Sequence, residues 1–225
     1  MRGNVPSHTH PTHARAAVVA RVFAGPLSHY FASKGGDAAK LRAGIEAWRE
    51  DLRASVTAKV GEQLVWDEGA AVAREWDLGE SGWMALRLFA FYAERSDLEL
   101  PDTVPALLEL DREWRAASEG KFSKTLYGQL LACSVWLPGD FPVTMRAPLP
   151  DGESAEIGSV QALANQLKWL NQRTFAADAD EVARWMQSSA SAGGELIAAA
   201  RRGYAGLWAA VTVAVRERVP VVMGG

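Results

Sequence analysis

Few residues of this chain have catalytic or metal-binding potential, and the histidines are the first to consider. His8, His10 and His13 form a His-x-His-x-x-His cluster, a spacing at which imidazole groups can converge on a transition-metal ion. Residues 1–12 are polar and interrupted by prolines, so we expect a flexible tail without the surrounding contacts that orient metal ligands. We therefore predict no metal site and no bound cofactor. His29 lies on the polar side of a predicted helix, which favours a surface imidazole over a general base.

The single cysteine and the acidic residues also favour structural roles. Cys133 lies in the apolar run 130–137, which indicates a buried, inert thiol in a reducing compartment. Acidic neighbours such as Glu109 and Glu113 fall on a polar helix face, whereas acid-base catalysis needs carboxylates in contrasting environments. The sequence contains no phosphate-binding glycine loop, dinucleotide-binding fingerprint, nucleophile elbow or His-Glu-x-x-His zinc motif. No catalytic residue is predicted.

Arg87 is the most unusual charge in the sequence. It is the only charged residue in the apolar stretch 82–93, whose large side chains surround the predicted helix on most sides. An unpaired guanidinium buried there would cost several kcal/mol, so we expect a carboxylate, backbone carbonyls or an anionic ligand as its partner. A buried ion pair with Glu75, Asp77 or Glu80 is the favoured interpretation.

A ligand-binding role for Arg87 is the alternative. Trp83 and Tyr92 lie near it on the same predicted helix, and the three side chains could line a pocket between helices. Such a pocket would receive a carboxylate or phosphate group.

Trp169 is the tryptophan that fits its predicted helix least well. The chain has nine tryptophans, and most fall on or beside an apolar stripe. Trp169 lies about 120° away from the direction shared by Leu163, Leu167 and Leu170. Packing within the protein is favoured, and an interface with a partner protein is the alternative.

Composition excludes some classes of partner. The 225 residues carry a net charge of −3 without a block of like charge, which argues against nucleic acid or an anionic membrane as partner. The apolar segment 203–215 is shorter than the roughly 20 residues of a membrane span. Because the N-terminal residues also do not resemble a secretory signal, we expect a cytoplasmic protein.

Periodicity and capping residues predict mostly helices. The clearest is amphipathic and starts near Asp37, with Leu41, Ile45, Trp48 and Leu52 on one stripe. Further helices are predicted at 14–24, 62–76, 122–136 and 194–217. Two more are predicted from their capping residues, one that follows Ser159 and one that starts at Asp178 or Asp180.

The predicted fold class is mainly α. We expect a single domain over residues 13–225, with eight or nine helices around the one that contains Arg87. A helical block, 13–137, precedes a β-hairpin at 141–157 whose turn contains Asp151-Gly152, and the last helices occupy 159–218. Residues 219–223 are a weak candidate for a third strand beside the hairpin.

Two functions are compatible with this sequence. The favoured one is a binding or protein-interaction protein without catalytic residues, in which an exposed Trp169 would contact the partner. The alternative is a cofactor-independent enzyme with a pocket around Arg87 that accepts a small anionic ligand.

Overall fold

The fold is mixed α/β. The computed structural model describes residues 20–33, 35, 38–60, 64–122, 124–188 and 195–224. In these ranges, eight α-helices accompany six β-strands that form one sheet. The prediction of a mainly α, all-helical bundle with one small hairpin is therefore wrong. The predicted tail, with His8, His10 and His13, lies outside the described residues.

The elements have the following bounds. The strands are β1 Arg21–Ala24, β2 Arg74–Asp77, β3 Val135–Leu137, β4 Met145–Pro148, β5 Ser154–Ser159 and β6 Val221–Gly224. The helices are α1 Leu27–Ser33, α2 Ala38–Val60, α3 Gly82–Tyr92, α4 Arg112–Glu119, α5 Gly128–Ala132, α6 Val160–Leu170, α7 Ala179–Gln187 and α8 Leu196–Glu217. A 3-10 turn, Leu108–Leu110, precedes α4, and a π-helical turn, Asn171–Phe175, extends α6.

The sheet has the strand order β2-β1-β6-β3-β5-β4. Strands β3 and β5 are parallel, whereas the other neighbours are antiparallel. The hairpin β4-β5 lies within the predicted range, but it is one edge of this larger sheet. The candidate third strand is present as β6, and it pairs with β1 and β3 instead of the hairpin.

Helices cover both faces of the sheet. Successive residues of a strand point to opposite faces, and in β3 Trp136 joins the core beneath α3, α6 and α8, while Val135 and Leu137 join the core beneath α1 and α2. Strands β1 and β6 divide between the two cores in the same way. The fold is therefore a three-layer arrangement with the sheet in the middle.

Burial on both faces explains why the strands were missed. Strands β1 and β3 contain four and three residues, and nearly all of them are apolar. Such short apolar runs lack the alternation that distinguishes a strand from a buried helix. The predicted helix 14–24 is a strand where it is described, the predicted helix 62–76 ends in β2, and the predicted helix 122–136 is divided between α5 and β3.

Helices α3 and α8 approach each other closely through two glycines. A Cβ atom on Gly203 would overlap the carbonyl oxygen of Gly82, and one on Gly82 would lie 3.0 Å from the backbone nitrogen of Gly203. This contact packs α3 against α8, and α8, which also contacts α6 and α7, is the central helix of this layer instead of the predicted α3.

Local signals located several helices correctly. The Ser159 hydroxyl accepts a hydrogen bond from the Ala162 amide at 3.1 Å at the start of α6, and the Asp178 carboxylate caps α7 by accepting from Glu181 at 2.8 Å. Helix α8 also lies where the long apolar stripe predicts it. Within the described ranges, no helix combines the length and the hydrophobicity that a membrane crossing requires.

Candidate functional site

Arg87 finds its partner on the backbone of another helix. Its Nε donates a hydrogen bond to the Leu131 carbonyl at 3.0 Å, and its Nη2 donates to the same oxygen. Leu131 is in the last turn of α5, where carbonyl groups lack partners within the helix. Arg87 therefore caps the carboxyl end of α5, and the acceptor is a carbonyl instead of the favoured Glu75, Asp77 or Glu80.

Two indole rings complete the surroundings of this guanidinium. Its Cζ lies 5.2 Å from the ring centroid of Trp83 and 4.9 Å from that of Trp114, distances at which a cation interacts favourably with an aromatic ring. Burial lowers the pKa of Arg87 from 12.5 to about 10, against the raising influence of Glu109. The contacts described for Arg87 thus belong to the packing of α3 against α4 and α5.

Tyr92 is turned toward a different residue. Its hydroxyl donates to Asp111 Oδ2 at 2.8 Å, while Asp111 Oδ1 caps α4 by accepting from the Trp114 amide at 2.8 Å. Burial and the hydrogen bond to Asp111 raise the pKa of Tyr92 to about 12.

None of the five cavities described for the structure is lined by Arg87, Trp83 or Tyr92.

The remaining candidates of the sequence are placed as follows. Cys133 is 2% exposed, and burial raises the pKa of its thiol to about 12, so the thiolate is disfavoured. His29 is exposed on α1, as expected. Among the described residues, no group of three or more histidine, cysteine or acidic side chains could hold a metal ion.

Trp169 lies at the surface. It is 49% exposed on α6. One turn earlier on the same helix, the Gln166 side chain accepts a hydrogen bond from the Leu130 amide of α5 at 2.9 Å. Leu126, immediately before α5, is 48% exposed. Two large apolar side chains are therefore available to solvent near this helix pair.

A basic depression lies beside Leu126 and reaches Arg173, four residues after Trp169. Lys124, Leu126 and Arg173 line it together with Glu94, and its volume is about 410 Å³. Glu94 is engaged, since its carboxylate accepts from the Thr125 hydroxyl at 2.5 Å and from the Leu126 amide at 2.6 Å. Lys124 and Arg173 form no ion pair within the described part of the chain.

We name the surface formed by Lys124, Leu126, Trp169 and Arg173 the Trp169 face. Arg173 follows Trp169 by four residues in the helix and its π-helical extension, so it links the exposed indole to the basic depression. The face combines exposed apolar side chains with two cations. The exposed state of Trp169 was the alternative interpretation of the sequence, and the cations beside it were not predicted.

The π-helical turn after α6 was also not predicted. The Asn171 side chain brackets its end by donating to the Ala177 carbonyl at 2.8 Å and accepting from the Ala177 amide at 3.1 Å. Ala176 adopts a left-handed conformation, with φ of 49°. Turns of this kind are rare and are frequently found at functional sites.

Glu68 is a buried residue that the sequence did not single out. It is 3% exposed, and its carboxylate accepts hydrogen bonds from the backbone amides of Leu27 and Ser28 at the start of α1 and from the Trp66 indole. These three donors satisfy the charge. Glu68 therefore anchors α1 to the segment before β2.

Comparisons with models of protein families, with curated proteins and with solved structures found no match to this chain.

Proposed function

We propose that this protein is an interaction protein that binds an acidic segment of a partner protein through the Trp169 face. The observation that carries the proposal is the exposure of Trp169 four residues from Arg173, which lines a depression with Lys124; neither cation forms an ion pair with any described residue. Tryptophan and arginine are the residue types that most often dominate the binding energy of interfaces.

The charges of the face define the partner. Lys124 and Arg173 have no acidic partner of their own in the described part of the chain, while Glu94 is bound by Thr125 and Leu126. A carboxylate of the partner would therefore meet two cations, and a neighbouring apolar side chain would cover Trp169 and Leu126. We propose the cytoplasm as the compartment, consistent with a single, buried cysteine.

No contact of Arg87 favours the alternative of an enzyme pocket. Its guanidinium is engaged by the Leu131 carbonyl and by two indole rings. An anionic ligand at that position would have to replace these contacts.

Peptide display tests the proposal. A random peptide library is selected on the wild-type protein and counter-selected on the double variant Trp169→Ala, Arg173→Glu. We expect enriched peptides in which aspartate or glutamate stands beside a large apolar residue. Each single substitution should raise the dissociation constant about tenfold or more, as truncation of an interface anchor does, and added salt should weaken binding.

Leu110→Ala is the matched control, because Leu110 is 68% exposed and lies outside the face. It should leave the affinity unchanged. Enrichment of basic or uncharged peptides, equal binding to the double variant, or a selection without enrichment would each refute the proposal.

A further inference from the structure

A small cavity lies where the π-helical turn meets α7 and α8, and none of the four residues of the Trp169 face lines it. Its volume is about 230 Å³, enough for a molecule the size of an amino acid but smaller than the usual pockets for drug-sized ligands. The side chains that matter for its chemistry are Lys168, Asp178, Val182, Tyr204 and Trp208.

Tyr204 presents an unused polar group here. The residue is 2% exposed and lines the cavity, yet its hydroxyl has no hydrogen-bond partner among the described residues. The oxygen is not among the fully buried polar atoms that lack a partner, so it keeps some accessible area through which a ligand can reach it. Burial raises the pKa of Tyr204 well above its ordinary value, so the hydroxyl stays protonated and can donate.

The aromatic wall of the cavity is held rigidly. The Tyr204 ring stacks on Trp208 with 10° between the ring planes, and the edges of Phe175 and Trp185 pack against it at centroid distances of 5.8 and 6.1 Å. Phe175 ends the π-helical turn and stacks on Phe89 at 4.7 Å. The aromatic wall of the cavity is therefore formed before any ligand enters, which reduces the entropic cost of binding.

Two opposite charges face the same space. Lys168 and Asp178 both line the cavity and are exposed, and they form no ion pair with each other. Asp178 uses Oδ1 to cap α7, and its other carboxylate oxygen has no hydrogen bond among the described residues. A ligand that satisfies both charges must itself carry a carboxylate and an ammonium group.

We infer that this cavity binds a small zwitterion with an apolar side chain, such as a free amino acid. Lys168 pairs with the carboxylate, Asp178 pairs with the ammonium group, and the Tyr204 hydroxyl donates to the carboxylate. Val182 and Trp208 contact the apolar side chain. This inference does not depend on the proposed partner at the Trp169 face.

Isothermal titration calorimetry with free amino acids tests the site. For the amino acid that binds best, two analogues are titrated as well, the amine without its carboxylate and the acid without its ammonium group. We expect each analogue to bind at least about tenfold more weakly, because each loses one charge-assisted contact.

Three conservative variants assign the contacts. Lys168→Met should bind the amino acid no better than the amine that lacks its carboxylate. Asp178→Asn should bind the amino acid no better than the acid that lacks its ammonium group. Asparagine is chosen because it can still cap α7. Tyr204→Phe should weaken binding about 3- to 10-fold through the loss of one hydrogen bond. Tyr127→Phe, which removes a buried hydroxyl outside the cavity, should not change the affinity.

The variants should unfold at temperatures close to that of the wild type, which separates a lost contact from a lost fold. No binding of any amino acid at roughly 10 mM, a level at which even millimolar affinity is detected, would overturn the inference. Analogues that bind as well as the amino acid, or charge variants that keep both preferences, would also overturn it.

Discussion

Replacement of Arg87 by methionine should lower the free energy of unfolding by no more than about 2 kcal/mol. The loss has two parts: a charge-assisted hydrogen bond to the Leu131 carbonyl, about 1.5–3 kcal/mol, and two cation-aromatic contacts of about 0.5–1 kcal/mol each. The methionine variant gains free energy of unfolding because it no longer buries a charged side chain. The fall in the pKa of Arg87 from 12.5 to about 10 corresponds to about 3 kcal/mol, so the two sides nearly cancel.

Lysine at this position should be no better than methionine. It keeps a buried charge but donates from a single nitrogen, whereas the guanidinium reaches the carbonyl from two nitrogens and lies flat on aromatic rings. Urea denaturation of the wild type, Arg87→Met and Arg87→Lys measures all three stabilities. A methionine variant that loses more than about 4 kcal/mol, as truncation of one member of a buried ion pair does, or a lysine variant with wild-type stability would refute this reasoning.

Three further perturbations follow from the contacts. Glu68→Gln should lower the unfolding free energy by about 1–3 kcal/mol, because an amide accepts from the start of α1 less strongly and leaves a donor unsatisfied; unchanged urea denaturation would contradict this. Gly203→Ala should cost about 1–3 kcal/mol or more through overlap with Gly82, and a calorimetric unfolding temperature equal to that of the wild type would count against close packing. Stability should fall as the pH rises between 10 and about 12, because the folded state raises the pKa of Tyr92 and so binds more protons than the unfolded state in that range. The fall should be smaller in Tyr92→Phe, measured by denaturation at several alkaline pH values, and an equal fall would exclude Tyr92 as a contributor.

Elements with long local patterns were predictable from the sequence. Helix α6 combines a serine cap at Ser159 with four apolar residues on one face, and α7 begins at an aspartate cap, Asp178. Both signals come from residues within one or two turns of each other, and they act wherever the helix packs.

The sheet and the partner of Arg87 depend on distant residues. Strand β1 is a strand because β2 and β6 pair with it, and its four residues carry no sign of that pairing. The Leu131 carbonyl is 44 residues from Arg87 along the chain, and every residue has a carbonyl. Residue types could therefore show that Arg87 needed an acceptor, but only the fold selects which one.

Whether Trp169 is exposed also depends on how α6 packs, which the sequence alone does not show. Its angle on α6 showed that it points away from the buried stripe, and a second helix could have covered it. In the structure about half of the Trp169 side chain stays uncovered, with 49% exposed. Of the two cations of the face, Arg173 is four residues from Trp169 and lay within reach of a local pattern, whereas Lys124 comes from a distant part of the chain that only the fold brings to Arg173.

The position of β6 determines the order in which the protein can fold during synthesis. This strand lies between β1 and β3 and pairs with both, yet its residues are translated after all other strands, about 200 residues after β1. Until they emerge from the ribosome, β1-β2 and β3-β5-β4 are two separate ribbons with open edges, which are exposed to aggregation. The last of these six strands therefore joins the two halves of the sheet, and the nascent chain needs protection until then.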